Sequence, residues 1–292
     1  MSATERPLGT SGLSVPALGV GTNRWSTGEP GQASLNETLA AAIDVGMGFF
    51  DSAEVYSFGR SELAVGAAAR QDGRPVVLAS KFAPVPTRLA AAQFDSALDA
   101  TLRRLGRESL DLYYLHFPYS LRGVDTWMTA MAGAIEAGKI RAAAISNCNA
   151  AQMRTAADVL ARYGIPLAAN QVQYSLLHRA PETNGVLDAC RQMDVALIAY
   201  RPMAGGTVGA GSRRSKRLAA LADALHAVAS ARDATPRAVA LAWLLKRDDH
   251  VIAIPGATTP DHVRQNSGAL ALELSEEDFA AIDQASKSTP TG

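Results

Sequence analysis

The chain reads as an α/β protein, a closed (β/α)8 barrel with an N-terminal β-hairpin and two extra helices. Three observations predict this. Short apolar runs alternate with helical stretches along the whole sequence, the pattern of a parallel sheet covered by helices. Eight such runs in 292 residues suit one barrel of about 250 residues. An open dinucleotide-binding sheet calls for G-x-G-x-x-G after its first strand, and none follows Gly21.

Taken in order, Thr10, Ser11 and Gly12 form a turn between two short apolar stretches, predicting a hairpin that closes the barrel bottom. Ala17 to Gly21 is the first barrel strand; Gly19 and Gly21 weaken it but allow close approach by another chain or a ligand. Asn36 to Val45 is helical, with Ser34 as its N-cap and Gly46 and Gly48 as its stop. Strand Phe49 to Ser52 precedes helix Ser61 to Ala69, and strand Val76 to Ser80 precedes helix Phe94 to Leu105. Strand Leu110 to Leu115 leads to helix Asp125 to Ala137, and strand Ile140 to Ile145 to a helix from Asn149 or Ala150 to about Tyr163. Strand Leu167 to Gln171, helix Val186 to Met193 and strand Ala196 to Tyr200 follow. Helices Lys216 to Arg232 and Pro236 to Lys246 lead to the last strand, Val251 to Ile254. One helix starts at Thr259 or Pro260, and another spans Ser275 to Ala285, where Ser275 and Asp278 form a capping-box variant. No linker or low-complexity stretch divides residues 1–292, so one domain is expected.

The composition is 48% hydrophobic with a formal net charge of zero. Charge balance argues against a nucleic-acid partner, which needs a basic face. No apolar run approaches the roughly 20 residues that span a bilayer, and the N-terminus lacks the apolar core of a secretory signal. Cys148 and Cys190 have neither metal-ligand spacing nor the look of a disulfide framework. A reduced, cytoplasmic enzyme or binding protein is the expectation; oligomeric state is left open.

Four polar residues stand at or just beyond the ends of apolar runs: Asp51, Tyr56 one loop-length later, Lys81 and His116. The C-terminal ends of barrel strands form the active-site face. An ammonium beside a phenol favours the phenolate, so Lys81 can lower the pKa of Tyr56. Asp51 can hold Lys81 charged, and His116 can orient a carbonyl oxygen. Together they make a proton donor aimed at an oxygen, with no nucleophile–base pair, metal cluster or carboxylate pair. Proton donation alone does not reduce a carbonyl, so a hydride source must bind beside it. Ser146, Asn147 and Gln171 can grip an amide, and Tyr200 offers a face for a flat ring. The RPMAGG and PGATTP stretches after the last two strands sit where barrels hold phosphate.

The segments LGVGTNRW, FFDSAEVYSFGRSE, VVLASKF, LDLYYLHFP, IRAAAISNCN, NQVQYSLL, IAYRPMAGG and IPGATTPDHVRQN together resemble the aldo-keto reductase superfamily, over nearly the whole chain. The look is closest to bacterial and plant chloroplast members of unassigned substrate. The resemblance implies reduction of aldehydes or ketones by hydride from NADP(H), with NAD(H) as the other possibility. It makes Tyr56 the general acid within a catalytic set of Asp51, Tyr56, Lys81 and His116. It places Gly21, Thr22, Asp51, Ser146, Asn147, Gln171, Tyr200, Arg201, Pro202, Met203 and Gly205 on the cofactor. At the adenosine end it places Gly256, Ala257, Thr258, His262, Gln265 and Asn266. Trp25, Tyr56, Phe82, His116 and Phe117 are the expected substrate-pocket residues.

Departures from the family pattern carry their own expectations. Arg201 replaces the usual serine, and a direct phosphate contact is expected of it. Gly256 and His262 replace a lysine and an arginine of many NADP-dependent members, leaving Arg264 or the Arg213–Arg214 pair to compensate. The chain ends soon after its last helix, which predicts an open, permissive substrate site. Cys148 is expected to pack. Two other functions fit the same residues: a cofactor-sensing partner of membrane proteins with slow turnover, and a Schiff-base lyase using Lys81.

Overall fold

The computed structural model describes residues 5–26, 28, 31–119, 121–204 and 216–287. A hairpin of β1 (Glu5–Pro7) and β2 (Ser14–Pro16) opens the chain, paired antiparallel from Glu5–Pro16 to Pro7–Ser14. Its turn is fastened where the Leu8 N–H donates to the Leu13 carbonyl at 2.8 Å. Gly9, at φ +54°, lies so close to the carbonyls of Leu167 and Asp194 that a Cβ would press on both. The hairpin therefore caps the end of the barrel at which those strands begin, as the turn residues predicted.

The barrel follows as strand–helix units: β3 (Val20–Gly21), α1 (Gln32–Asp44), β4 (Phe49–Asp51), α2 (Arg60–Asp72), β5 (Val77–Phe82), α3 (Ala91–Leu105), β6 (Leu110–Leu115), α4 (Gly123–Glu136). Then come β7 (Ile140–Ser146), α5 (Ala150–Ala161), β8 (Leu167–Gln173), α6 (Val186–Met193), β9 (Ala196–Tyr200), α7 (Lys216–Ala231), α8 (Pro236–Arg247), β10 (Val251–Ile254), α9 (Pro260–Ser267) and α10 (Glu276–Lys287). Neighbouring strands from β3 to β10 pair in parallel in sequence order. Closure comes from bridges between Leu18 and Ala253 and between Gly21 and Gly256. There the N–H groups of Gly19 and Gly21 donate to Ala253 (2.9 Å) and Pro255 (3.0 Å). A Cβ on Gly19 would stand 2.7 Å from the Phe49 ring, and one on Gly21 2.9 Å from the Ile254 carbonyl. The neighbour that these glycines admit is the sheet itself.

Helix starts follow their capping chemistry. Asn149 accepts from the Gln152 N–H while Gln152 reaches back to the Asn149 N–H, both at 2.9 Å. Ser275 and Asp278 exchange the same pair of bonds. Thr235 and Thr259 cap α8 and α9 ahead of prolines. Ser34 is not a cap: Gly31, at φ +84°, turns the chain into α1, which starts at Gln32, four residues earlier than expected. Ser34 then lies within the first turn, its carbonyl accepting from Thr38. The first strand is also shorter than expected, two residues with the rest of its run held by isolated bridges.

Two apolar cores result. The barrel interior is filled by Leu8 and Val15 from the hairpin and by Phe49, Ala79, Leu112, Tyr114, Ala142, Ala144, Ile198 and Ile252. A larger layer between strands and helices holds Phe50, Phe82, Tyr113, Trp127 and Trp243.

Candidate active site

Strand alternation decides which side chains reach the barrel mouth, since successive residues face opposite sides. Inward residues are Phe49 on β4, Ala79 on β5, Leu112 and Tyr114 on β6, Ala142 and Ala144 on β7, Ala169 on β8 and Ile198 on β9. Two residues further along each strand come Asp51, Lys81, His116, Ser146, Gln171 and Tyr200. One periodicity thus delivers six polar groups to one end of the barrel, above a largely apolar floor.

Lys81 and Asp51 are fully buried and form an ion pair. Lys81 Nζ also donates to the Ser52 carbonyl at 2.7 Å, and Gln171 Nε2 donates to Asp51 Oδ2 at 2.8 Å. Burial by itself pushes the Lys81 ammonium down, but Asp51 and then Tyr56 outweigh it, so its pKa lies above the ordinary lysine value. Burial raises the Asp51 carboxyl, against the pull of Lys81 and Gln171.

Tyr56 is half-buried at the start of a 3-10 turn between β4 and α2. Lys81 Nζ lies 5.0 Å from its ring centre and 5.3 Å from that of Tyr114. Burial raises the phenol pKa, and Lys81 lowers it only part of the way back. The pull expected from Lys81 is present, but the net direction in the free protein is upward. The His116 imidazole meets Tyr56 edge-on at 5.8 Å and stacks on Phe117 at 4.1 Å. Burial and then the Lys81 charge push it down to about 3, so it is neutral at physiological pH. Its Nδ1 has no partner among the described residues.

A buried hydroxyl cluster fixes the Asp51 backbone. Thr22 donates to the Asp51 carbonyl at 2.9 Å, Ser61 donates to the Thr22 carbonyl at 2.8 Å, and Ser52 pairs with Ser61 at 2.8 Å. Glu54 accepts from the Ala83 N–H (2.6 Å) and from Arg88, tying the Tyr56 loop to the loop after β5. Ser52, Ser61 and Glu54 escaped the sequence reading. By pattern each is an ordinary strand-end, loop or helix residue, and only tertiary contact makes it a support.

Beside this set, Asn147 takes a left-handed backbone (φ 59°), and its amide donates to the His116 carbonyl at 3.1 Å and to Ser146 Oγ at 3.0 Å. Tyr200 donates to Asn147 Oδ1 at 3.0 Å. A cleft of about 370 Å³ is lined by Asp51, Tyr56, Tyr200 and Arg201 to Met203, while Ser146, Asn147 and Gln171 lie behind it and do not line it. Gly21, Thr22, Gly256, Ala257, Thr258 and His262 line the rest, joined by Asn23, Arg24, Ile254, Pro255 and Arg237, which the sequence reading missed.

Some expected positions fall elsewhere. Trp25 is fully buried, with its indole N–H on the Ala257 carbonyl at 2.6 Å and its ring against Phe50, so it is core and not pocket wall. Phe82 is also fully buried, against Phe94 and Trp127. It follows the inward Lys81, so alternation sends it outward, a signal already present in the sequence. Gln265 is exposed and does not line the cleft. Arg264 is exposed and paired with Asp261. Gly205, Arg213 and Arg214 lie outside the described residues.

Comparison with known proteins places this geometry. The family model for the Aldo/keto reductase family matches residues 17–287. The chain belongs to this family. It is 31% identical to an NADP(+) aldo-keto reductase, YakC, of Schizosaccharomyces pombe, over 98% of this chain and 92% of the relative. It is 35% identical to the methylglyoxal reductase YeaE of Escherichia coli, over 94% and 92%. Among solved structures, an aldo-keto reductase of Klebsiella pneumoniae in complex with NADPH superposes with a TM-score of 0.83 at 31% identity, covering 99% of this chain and 97% of that one. A thermostable aldo-keto reductase in complex with the inhibitor epalrestat gives 0.83 at 31%, covering 97% and 99%. As a member of the family, this aldo-keto reductase has the (β/α)8 barrel that its sequence predicted.

Proposed function

We propose that this aldo-keto reductase reduces aldehydes or ketones to alcohols with NADPH, Tyr56 acting as general acid. The observation that carries the reading is Lys81, a buried ammonium held by Asp51 and facing Tyr56, the two residues that bring this group to the cleft. The cleft residues fit the cofactor: the Tyr200 ring, hydrogen-bonded to the Asn147 amide behind it, and arginines 24, 201 and 237 in the lining. Ser146, Asn147 and Gln171 would hold the carboxamide, Tyr200 the ring, and the segments from Arg201 and Gly256 the phosphates and adenosine. Bound there, NADPH supplies the hydride. Tyr56 donates its proton to the carbonyl oxygen as negative charge develops on it. Lys81 stabilises the phenolate left behind, and Asp51 keeps Lys81 charged. Neutral His116 orients the oxygen without adding a second buried cation.

The mouth favours carbonyls with apolar substituents. Phe58 is 99% exposed two residues beyond Tyr56, and Tyr119 and Leu121 are exposed in the loop that follows His116 and Phe117. The lyase alternative needs a neutral Lys81 amine, and its ion pair with Asp51 holds it protonated.

The test is steady-state NADPH oxidation over a panel of aldehydes that includes methylglyoxal, with Tyr56→Phe beside the wild type. The variant is expected to lose about 10²–10⁴ in kcat while binding NADPH as before. A wild type that oxidises no NADPH with any carbonyl, or a variant at full rate, sinks the proposal.

A further inference from the structure

Arg237 stands out on charge. It lies in the first turn of α8, a helix end that disfavours cations, and half of it is buried. No carboxylate pairs with it among the described residues. Its one hydrogen bond runs from Nη1 to Asn266 Oδ1 at 3.3 Å, and burial pushes its pKa down without a compensating charge. Most other arginines that pack against this barrel are neutralised. Arg88 has Glu54, Arg104 has Glu62, Arg179 has Glu182 and Asp283, and Arg264 has Asp261. An unpaired, partly desolvated guanidinium is costly unless a ligand supplies the anion.

A second observation points the same way. Asn266 is fully buried, and its Nδ2 has no partner among the described residues. Arg237 and Asn266 thus join an unpaired cation to an unspent amide donor where α8 meets α9, beside Thr258 and His262. This corner is built by helices α8 and α9, whereas Asp51 ends the barrel strand β4 and Tyr56 follows it. If the ring end of the cofactor lies at Asp51 and Tyr56, as proposed above, the adenosine lies at Arg237.

We infer that Arg237 is a specificity-determining residue: its guanidinium receives the phosphate on the adenosine ribose and so selects NADP(H) over NAD(H). Arg264 and His262 do not serve instead. Arg264 is spent on Asp261, and His262 Nδ1 faces the Thr258 hydroxyl at 3.4 Å. Arginine suits the task because its planar fork matches phosphate oxygens in pairs.

The inference rests on the reductase reading, and one titration series separates the two. Intrinsic tryptophan fluorescence of the full chain is followed with NADPH, NADH, 2′,5′-ADP and 5′-AMP, for the wild type, Arg237→Met, Arg237→Lys and Arg264→Met. Arg237→Met is expected to weaken NADPH and 2′,5′-ADP by about 10- to 100-fold, the worth of charge-assisted hydrogen bonds. NADH and 5′-AMP should stay within about twofold. Arg237→Lys should fall between, and Arg264→Met should match the wild type. Equal weakening of the phosphorylated and unphosphorylated ligands overturns the inference, and so does no change in either. If Arg237→Met fails to fold, Arg237→Lys decides by the same two ratios. A wild type that binds neither dinucleotide sinks the reductase reading itself, before any variant is compared.

Discussion

Replacing Asp51 by asparagine keeps the shape of the site and removes one charge from a fully buried pair. Lys81 is left with the Ser52 carbonyl and the Tyr56 phenol for company. Breaking a buried pair from one side costs about 3–5 kcal/mol, because the remaining charge is uncompensated. Unfolding entropy of about 2.1 cal/mol/K per residue, over 292 residues, converts this to a Tm lower by about 5–8 °C. The pH dependence adds a signed test. In the wild type the Lys81 pKa is raised on folding, so its contribution is complete at neutral pH and is lost as pH climbs through the folded-state value. In Asp51→Asn, burial dominates and pushes Lys81 below its unfolded value of about 10.4. The unfolded state then binds more protons, and stability rises with pH toward 10. Differential scanning calorimetry from pH 6 to 10 should show a deficit that is largest at neutral pH and shrinks toward alkali. The double variant Asp51→Asn/Lys81→Met, with no charge left buried, should recover most of the loss. A penalty under about 1 kcal/mol, or a deficit that ignores pH, would refute the buried ion pair.

Three further outcomes follow from burial. His116 is pushed down to about 3, so kcat/KM should show no histidine inflection between pH 5 and 8; a step near 6.5 (the ordinary value) that vanishes in His116→Gln would contradict a neutral imidazole. Stability should fall on acidification below about 6.5, where the unfolded histidine gains its proton first. Both cysteine thiols are pushed up to about 12, by burial first. Iodoacetamide at pH 8 should leave Cys148 and Cys190 unlabelled in the native protein and modify both in denaturant, and rapid native labelling of Cys148 would show that it is not packed as described.

The barrel was legible because its apolar runs and glycine stops are local signals, and local signals place elements well. Hairpin, strands and helices lie close to where the pattern put them. What was not legible depended on contacts between distant segments. Ser34 looked like an N-cap until Gly31 turned the chain earlier. Trp25 sits in a loop whose length says nothing of its depth, and contacts with the distant Phe50 and the Ala257 carbonyl bury it. Phe82 could have been assigned correctly, since Lys81 and the period of two fix its side of the strand. Arg237 hid at the start of α8, where a cation draws no notice until the structure shows that no carboxylate among the described residues pairs with it.

The link between Glu54, Arg88 and the Ala83 amide has a consequence for how such a protein changes over time. It welds the base of one loop to the base of the next, while the tip bearing Phe58 stands clear in solvent. Residues at the tip can be exchanged without moving Tyr56, because the weld and the strand alternation hold the chemistry from below. New substrates are then reached by editing a rim, and the apparatus beneath is inherited whole.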